Sequence, residues 1–481
     1  MRKLDGLKPE RVFYYFEEIA GIPHGSKNTD EISKYLCDFA QNHSLKFYRD
    51  SADNVVIYKA ASAGYENADP VMLQGHMDMV CEKEDGADFD FEKDGLRLLV
   101  DGDNVTADGT TLGGDDGIAV AMILAILEDE SLKHPAIEAV ITSDEEIGLL
   151  GAKAFDASKV SSKLLINIDS EGEGVFLTSC AGGADVESVI PLEYKKNDKE
   201  CFEICVKGLE GGHSGSEIDK ERGNAISLLG RVLGMLSDEV SFDLCNLFGG
   251  QKTNAIPRKA LAYVAVFNED EDALCKKIDE IDAVLRNEFK TADGGIRVCV
   301  SAADMCEKAF SPASKARVLS FLRLLPQGVV NYSKDIEGLV ETSLNPGIMT
   351  CDEESFVMKT SVRSSVESRK KEICDKIKVL TVLLGGQTRL YGEYPGWEYN
   401  PDSKLRGIFG DAYKELFQKE ARFEAIHAGL ECGLFAGMID GLDAIALGPD
   451  LWDIHTPGET LSVSSTERTY NLVCSVLEKL K

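Results

Sequence analysis

Three neighbouring stretches decide the fold: VMLQGHMDMV (71–80), DDGIAVAMILAILEDESL (115–132) and AIEAVITS (136–143). The outer two are short apolar runs, as buried strands are. In the middle one, Ile118, Met122, Ala125 and Ile126 recur at the i, i+4, i+7, i+8 spacing of a helix. Gly113–Gly114 just before it suit a tight turn, and either Asp115 or Asp116 suits the N-cap. KLLINID (163–169) reads as a further buried strand. This order predicts an α/β fold with a mixed, largely parallel sheet, whose functional residues gather at the carboxyl ends of its strands.

Beyond about residue 185 the texture changes. FEICVKG (202–208) alternates Phe202, Ile204 and Val206 as a half-exposed strand does. Helical patterns at 223–236, 269–289, 313–325 and 366–384 are interleaved with strand-like runs, an α+β composition that uses one strand–helix–strand theme twice. The turn-rich YGEYPGW (391–397) leads back to α/β texture. The expected organisation is a catalytic domain in two parts, 1–184 and 391–481, interrupted by an inserted α+β domain over 185–390.

Bulk properties narrow the function. A chain of 481 residues exceeds one ordinary core. A net charge of −31 argues against nucleic acid and against an anionic membrane, since both would repel it. The start, MRKLDGLKPERVFYYFEEIAG, has no uninterrupted apolar run of the signal-peptide kind, and no segment reaches membrane-spanning length. The 13 scattered cysteines, without a CxxC pair, read as reduced thiols of a cytosolic protein.

The chemistry-bearing residues stand at element ends. His76 and Asp78 in GHMD share one side of an extended segment, an arrangement suited to a metal-binding imidazole oriented by a carboxylate. Asp115 and Asp116 in GGDDG, Glu145 and Glu146 in TSDEEIG, and Asp169 in NIDSE add carboxylates. Gathered together they would repel one another unless cations neutralise them. His455 in WDIHTPGE offers a second imidazole, and mixed nitrogen and oxygen ligation favours Zn²⁺. One glutamate of the Glu145–Glu146 pair can hold metal while the other takes a proton from water. Asp144 reads as a solvated turn residue, and His24, His43 and His134 as surface or capping residues. His427 is either a core histidine or a substrate contact.

The strings GHMDMV, TTLGGDDGIA, SDEEIG, INIDSE and GGHSG, in this order, resemble the co-catalytic di-zinc peptidase family. CAGG (180–183), GLEGGHSG, NAIPR, SVRSS, YPGW and HAGLECG are similar to its aminoacyl-histidine dipeptidase branch, over about residues 10 to 480. The resemblance implies hydrolysis of dipeptides, preferentially Xaa-His, with two Zn²⁺ per subunit and Mn²⁺ or Co²⁺ as substitutes. It implies that His76, Asp115 and Asp169 hold one metal, and that Asp115, Glu146 and His455 hold the other. Asp78 would orient His76, and Glu145 would be the general base. In the inserted domain, His213 would polarise the scissile carbonyl, Asn254 and Arg363 would hold the substrate carboxylate, and a homodimer would form. Glu431 would line the pocket.

Overall fold

The structure, a computed structural model, describes residues 2–481. It divides into two compact units, one of residues 2–180, 399–425 and 430–481, the other of 181–398 and 426–429. The divisions fall a few residues from the expected 184/185 and 390/391. Strands Gly182–Pro191 and Gln387–Tyr394 pair with each other inside the second unit, which draws their ends into it. The 426–429 segment, distant in sequence, joins the second unit as well.

The first unit is built on a mixed eight-stranded sheet. At its centre Ile137–Thr142, Val71–His76, Leu164–Asn167 and Asp443–Ala446 run parallel. The fourth of these strands comes from the chain after the insertion, so both sequence parts share one sheet. The Gly114–Glu128 helix is buried from Asp116 to Leu127, with Glu10–Ala20 and the Val71–His76 strand packed against it. Its apolar residues therefore cover every face, as in a fully buried helix. Neither aspartate caps it. Gly113 holds the N-cap position at φ +66°, and Asp115 and Asp116 have non-helical backbone angles. That φ favours glycine, and a Cβ there would meet Met79 Sδ at 2.9 Å.

The second unit carries a larger, antiparallel sheet of nine strands. Helices Ala225–Ser237, Glu271–Glu288, Pro312–Leu324 and Glu367–Leu383 contribute Leu229, Ile278, Phe321 and Ile377 to its core. The Glu200–Lys207 strand is not half-exposed as the alternation of Phe202, Ile204 and Val206 implies. It lies between two neighbours, and Cys201 and Cys205 on its other face are buried too. No described helix is long and apolar enough to cross a membrane, and all 13 cysteines are free.

Candidate active site

The parallel strands of the first unit end together, and the side chains just beyond them converge. His76 closes the Val71–His76 strand and is 1% exposed. Its Nδ1 lies 3.0 Å from the Asp78 carbonyl and 3.5 Å from Asp78 Oδ1, which leaves Nε2 for other partners. Nε2 stands 3.1 Å from Asp115 Oδ1 and 3.7 Å from Asp169 Oδ1. The other Asp115 oxygen, Oδ2, is 3.1 Å from His455 Nε2, which also lies 3.0 Å from Glu146 Oε1. One carboxylate thus sits between two imidazoles, each turning the same ring nitrogen toward it.

Asp78 does more than face His76. Its carboxylate accepts the Glu145 N–H at 3.0 Å, the Glu146 N–H at 3.4 Å and the Ser26 hydroxyl at 2.8 Å. It therefore fixes the turn that carries both glutamates. Asp144 adopts φ +51° and accepts the Lys27 N–H at 2.6 Å, which anchors the same turn rather than leaving it solvated.

Electrostatics mark the cluster as short of positive charge. Burial would lower the pKa of His76, but Asp169, Asp115 and Asp78 outweigh it and hold the value well above the usual one. The carboxylates of Asp115 and Glu146, 3.1 and 3.0 Å from its Nε2, raise His455 to about 10. Burial raises Glu145 to about 9, with Asp169, Glu431 and Glu146 adding repulsion. Burial likewise raises Glu146. Side chains that borrow protons in this way fit a site built around cations.

The donor set passes the same test. Atoms of Asp115, Glu146 and His455 lie within 4.8 Å of one another, as do those of His76, Asp116 and Asp169 and those of His76, Glu145 and Glu146. Glu146 Oε1 is buried and, although 3.0 Å from His455 Nε2, makes no aligned hydrogen bond. A buried carboxylate oxygen beside an imidazole and without a hydrogen bond suits a divalent first-row ion.

In the second unit, His213 lies on the short Gly212–His213 strand, paired with Ala255–Ile256. The Gly215 and Ser216 N–H groups approach its Nδ1 at 3.3 and 3.1 Å. Those donors assign the ring proton to Nε2. Burial and Arg363 lower its pKa, so the ring is neutral and Nε2–H is a free donor. His213 and Asn254 line one cavity of about 960 Å³. Arg363, 9% exposed, gives one Nη1–H to the Tyr394 hydroxyl at 3.0 Å, while its buried Nε has no acceptor. His427 is buried and pairs with the Ser343 hydroxyl at 2.7 Å. Burial and Arg363 push it down to about 3, so it is neutral.

Several residues depart from the sequence reading. Glu431 is fully buried and accepts from Gln74 and from the Thr142 hydroxyl at 2.7 Å, beneath the strand ends rather than along an open wall. Asp116 is 2% exposed and accepts the His76 N–H at 3.1 Å, so it is a buried partner of the ligand strand and not a helix cap. Gly75 makes room for it, since a Cβ there would meet Asp116 Oδ2 at 2.5 Å. His24 and His134 are also buried, not surface residues. Glu459 escaped notice altogether. Its carboxylate accepts the N–H groups of Leu112, Gly113, Gly114 and Asp115 at 2.8 to 3.2 Å and so sets the loop that presents Asp115. The available signal was Gly113–Gly114 itself, whose exposed amides at a helix start need an anion.

Comparison with known proteins identifies the family. The family model described as peptidase family M20/M25/M40 matches residues 72–479. The chain is 34% identical to the cytosol non-specific dipeptidase of Escherichia coli, over 100% of this chain and 99% of that one. It is similar to the crystal structure of the aminoacylhistidine dipeptidase from Vibrio alginolyticus, with TM-score 0.94 and 34% identity, covering 99% and 98% of the two chains. The aminopeptidase PepT from Bacillus cereus shares the fold at TM-score 0.58 and 16% identity, over 98% and 99% of the chains. The chain belongs to peptidase family M20/M25/M40.

Proposed function

We propose that the chain is a metal-dependent dipeptidase, cleaving Xaa-His dipeptides preferentially, with two Zn²⁺ per subunit and Mn²⁺ or Co²⁺ as substitutes. The observation that carries this reading is Asp115, its two oxygens each 3.1 Å from a different imidazole Nε2. His76, Asp115 and Asp169 hold one cation, and Asp115, Glu146 and His455 the other. When bound, such ions polarise a carbonyl and acidify water.

The chain's own groups do the rest. Glu145 takes the proton of the attacking water and returns it to the leaving amine. Asp78 keeps His76 turned and Glu145 and Glu146 apart in their two roles. The neutral His213 gives its Nε2–H to the scissile carbonyl oxygen, in its own chain or a partner's. Arg363, with an unused buried N–H, and Asn254 take the substrate's carboxylate, which restricts length to two residues. Glu431 acts through Gln74 and Thr142, as support for the strand ends.

The relative in Escherichia coli bears the name of a non-specific dipeptidase, which favours a second reading of broader dipeptide specificity on the same machinery. A homodimer through the second unit is supported by Val379, Val382 and Leu383, which stand 57, 55 and 78% exposed at i, i+3 and i+4 on the Glu367–Leu383 helix. A cytoplasmic location follows the name of that relative and suits 13 free thiols. The test is a rate panel of Xaa-His dipeptides, other dipeptides, a tripeptide and N-acetyl amino acids with defined metals. Fastest turnover of Xaa-His supports the reading, equal rates across dipeptides favour the broader one, and no hydrolysis with Zn²⁺ or Mn²⁺ overturns both.

A further inference from the structure

Cys201, Cys245 and Cys306 meet in the second unit, apart from every residue assigned to peptide hydrolysis. Their sulfurs lie within 4.8 Å of one another. The sheet assembles them deliberately. The Glu200–Lys207 strand turns Phe202, Ile204 and Val206 into the main core, and Cys201 to the opposite face. On Asp243–Gly249 the register against Ala260–Val266 slips between Leu244 and Asn246, and Cys245 is the extra residue. A bulge of this kind re-aims one side chain. Cys306 arrives from the loop before Lys308–Phe310, and Ala265, Ala309 and Tyr263 pack around the group.

A second observation is a donor aimed at one of the sulfurs. Cys201 Sγ receives the Cys306 N–H at 3.1 Å. Asn197 Nδ2 stands 3.3 Å from the same sulfur and gives its two hydrogens to the carbonyls of Lys199 and Cys306, each at 3.0 Å, which pins the segment that carries Cys306. An N–H aimed at sulfur supports a ligand sulfur as outer hydrogen bonds support other metal ligands.

We infer that these three sulfurs form a trigonal site for a soft, thiophilic cation, copper(I). Thiolates select soft ions. Sulfurs sharing one ion at about 2.3 Å stand about 4 Å apart, a separation within the observed reach. Among the described residues the group closes at three, with no fourth histidine, cysteine or carboxylate atom in the same reach, whereas a structural zinc site wants four. Binding exchanges three S–H protons, released to solvent, for three S–Cu bonds, with no change of oxidation state.

The complex carries two negative charges, and lysines surround it. Lys195 and Lys199 reach Asp243 at 2.8 and 2.9 Å, beside the Cys245 bulge. A cavity of about 700 Å³ is lined by Asn197, whose Nδ2 stands 3.3 Å from Cys201 Sγ, and by Lys195, Lys196, Lys308, Glu307 and Met305. Met305, 66% exposed and next to Cys306, places a soft thioether at the entrance.

The test uses the metal-loaded enzyme and copper(I), supplied without oxygen against graded amounts of a copper(I) chelator. One copper should be retained per chain, and three of the 13 thiols should become inert to a thiol reagent. Cys245→Ala and Cys306→Ser should each weaken retention by more than the roughly 100-fold that losing a supporting partner costs a metal site, and Asn197→Ala by roughly 10- to 100-fold. Dipeptide hydrolysis should stay unchanged in all three, which also certifies folding. Equal copper release by wild type and Cys306→Ser, or copper uptake that leaves all the thiols reactive, overturns the proposal. So does a disulfide within the group that, once reduced, still takes up no copper.

Discussion

The imidazole–carboxylate cluster of the first unit and the three-thiol cluster of the second are assembled by opposite means. Parallel strands all end on one side, so the loops after Val71–His76, Ile137–Thr142 and Leu164–Asn167 converge by topology alone. Antiparallel strands end alternately on opposite edges. There the thiols can meet only on a face, and a bulge at Cys245 is needed to bring the third sulfur in. A parallel sheet provides a place for charge to collect, while an antiparallel one must break its own register to make one.

The largest expected effect tests how sharply labour is divided inside the first cluster. Glu145→Gln should lower kcat by about 10²- to 10⁴-fold, the usual worth of a general base, while metal content by elemental analysis stays at two per chain. Full activity would mean that the proton is handled elsewhere. Asp78→Ala leaves the ligands in place but frees His76 and the Glu145–Glu146 turn. Metal affinity, read by competition with a chromophoric chelator, should fall roughly 10- to 100-fold.

The pH dependence of the metal-free protein separates the clusters further. His455 is raised to about 10 by Asp115 and Glu146, and Glu145 to about 9 by burial. Both folded values exceed the ordinary ones. Their contribution is therefore complete below those ordinary values and is lost as pH climbs through the folded ones. Melting temperature after chelation should fall steadily between about pH 5 and pH 10, and the loaded protein should resist that fall. A flat profile without metal would show that the cluster does not share protons as described. The smallest expected effect is none: Cys245→Ala should leave hydrolysis untouched, and a loss of rate would join the two clusters into one system.

Much of the first cluster was legible because its residues announce themselves locally. His76, Asp115, Glu146 and Asp169 each follow a short apolar run or open a helix, and strand ends are where an α/β sheet collects function. The Gly114–Glu128 helix was legible from spacing, but the role of Asp116 was not, since a cap and a buried partner of the His76 N–H look alike in sequence. Glu459 and His427 depend on contacts with residues far away in the chain, for which periodicity carries no signal. The Glu200–Lys207 strand misled in the same way: Cys201 and Cys205 are small enough to read as exposed, and only neighbours on both edges reveal that they are covered.

Glu459 has a consequence for the order of events on the ribosome. Its carboxylate ties the loop from Leu112 to Asp115 to a segment that emerges some 345 residues later. The parallel sheet likewise waits for Asp443–Ala446 to dock beside Leu164–Asn167. A nascent chain that has reached Asp169 but not Glu459 lacks the carboxylate that holds the Asp115 loop, and His455, one of the two imidazoles beside Asp115, is still unmade. On the proposed reading, hydrolysis therefore waits for the segment around His455 and Glu459, and the unit in the middle has time to fold before it.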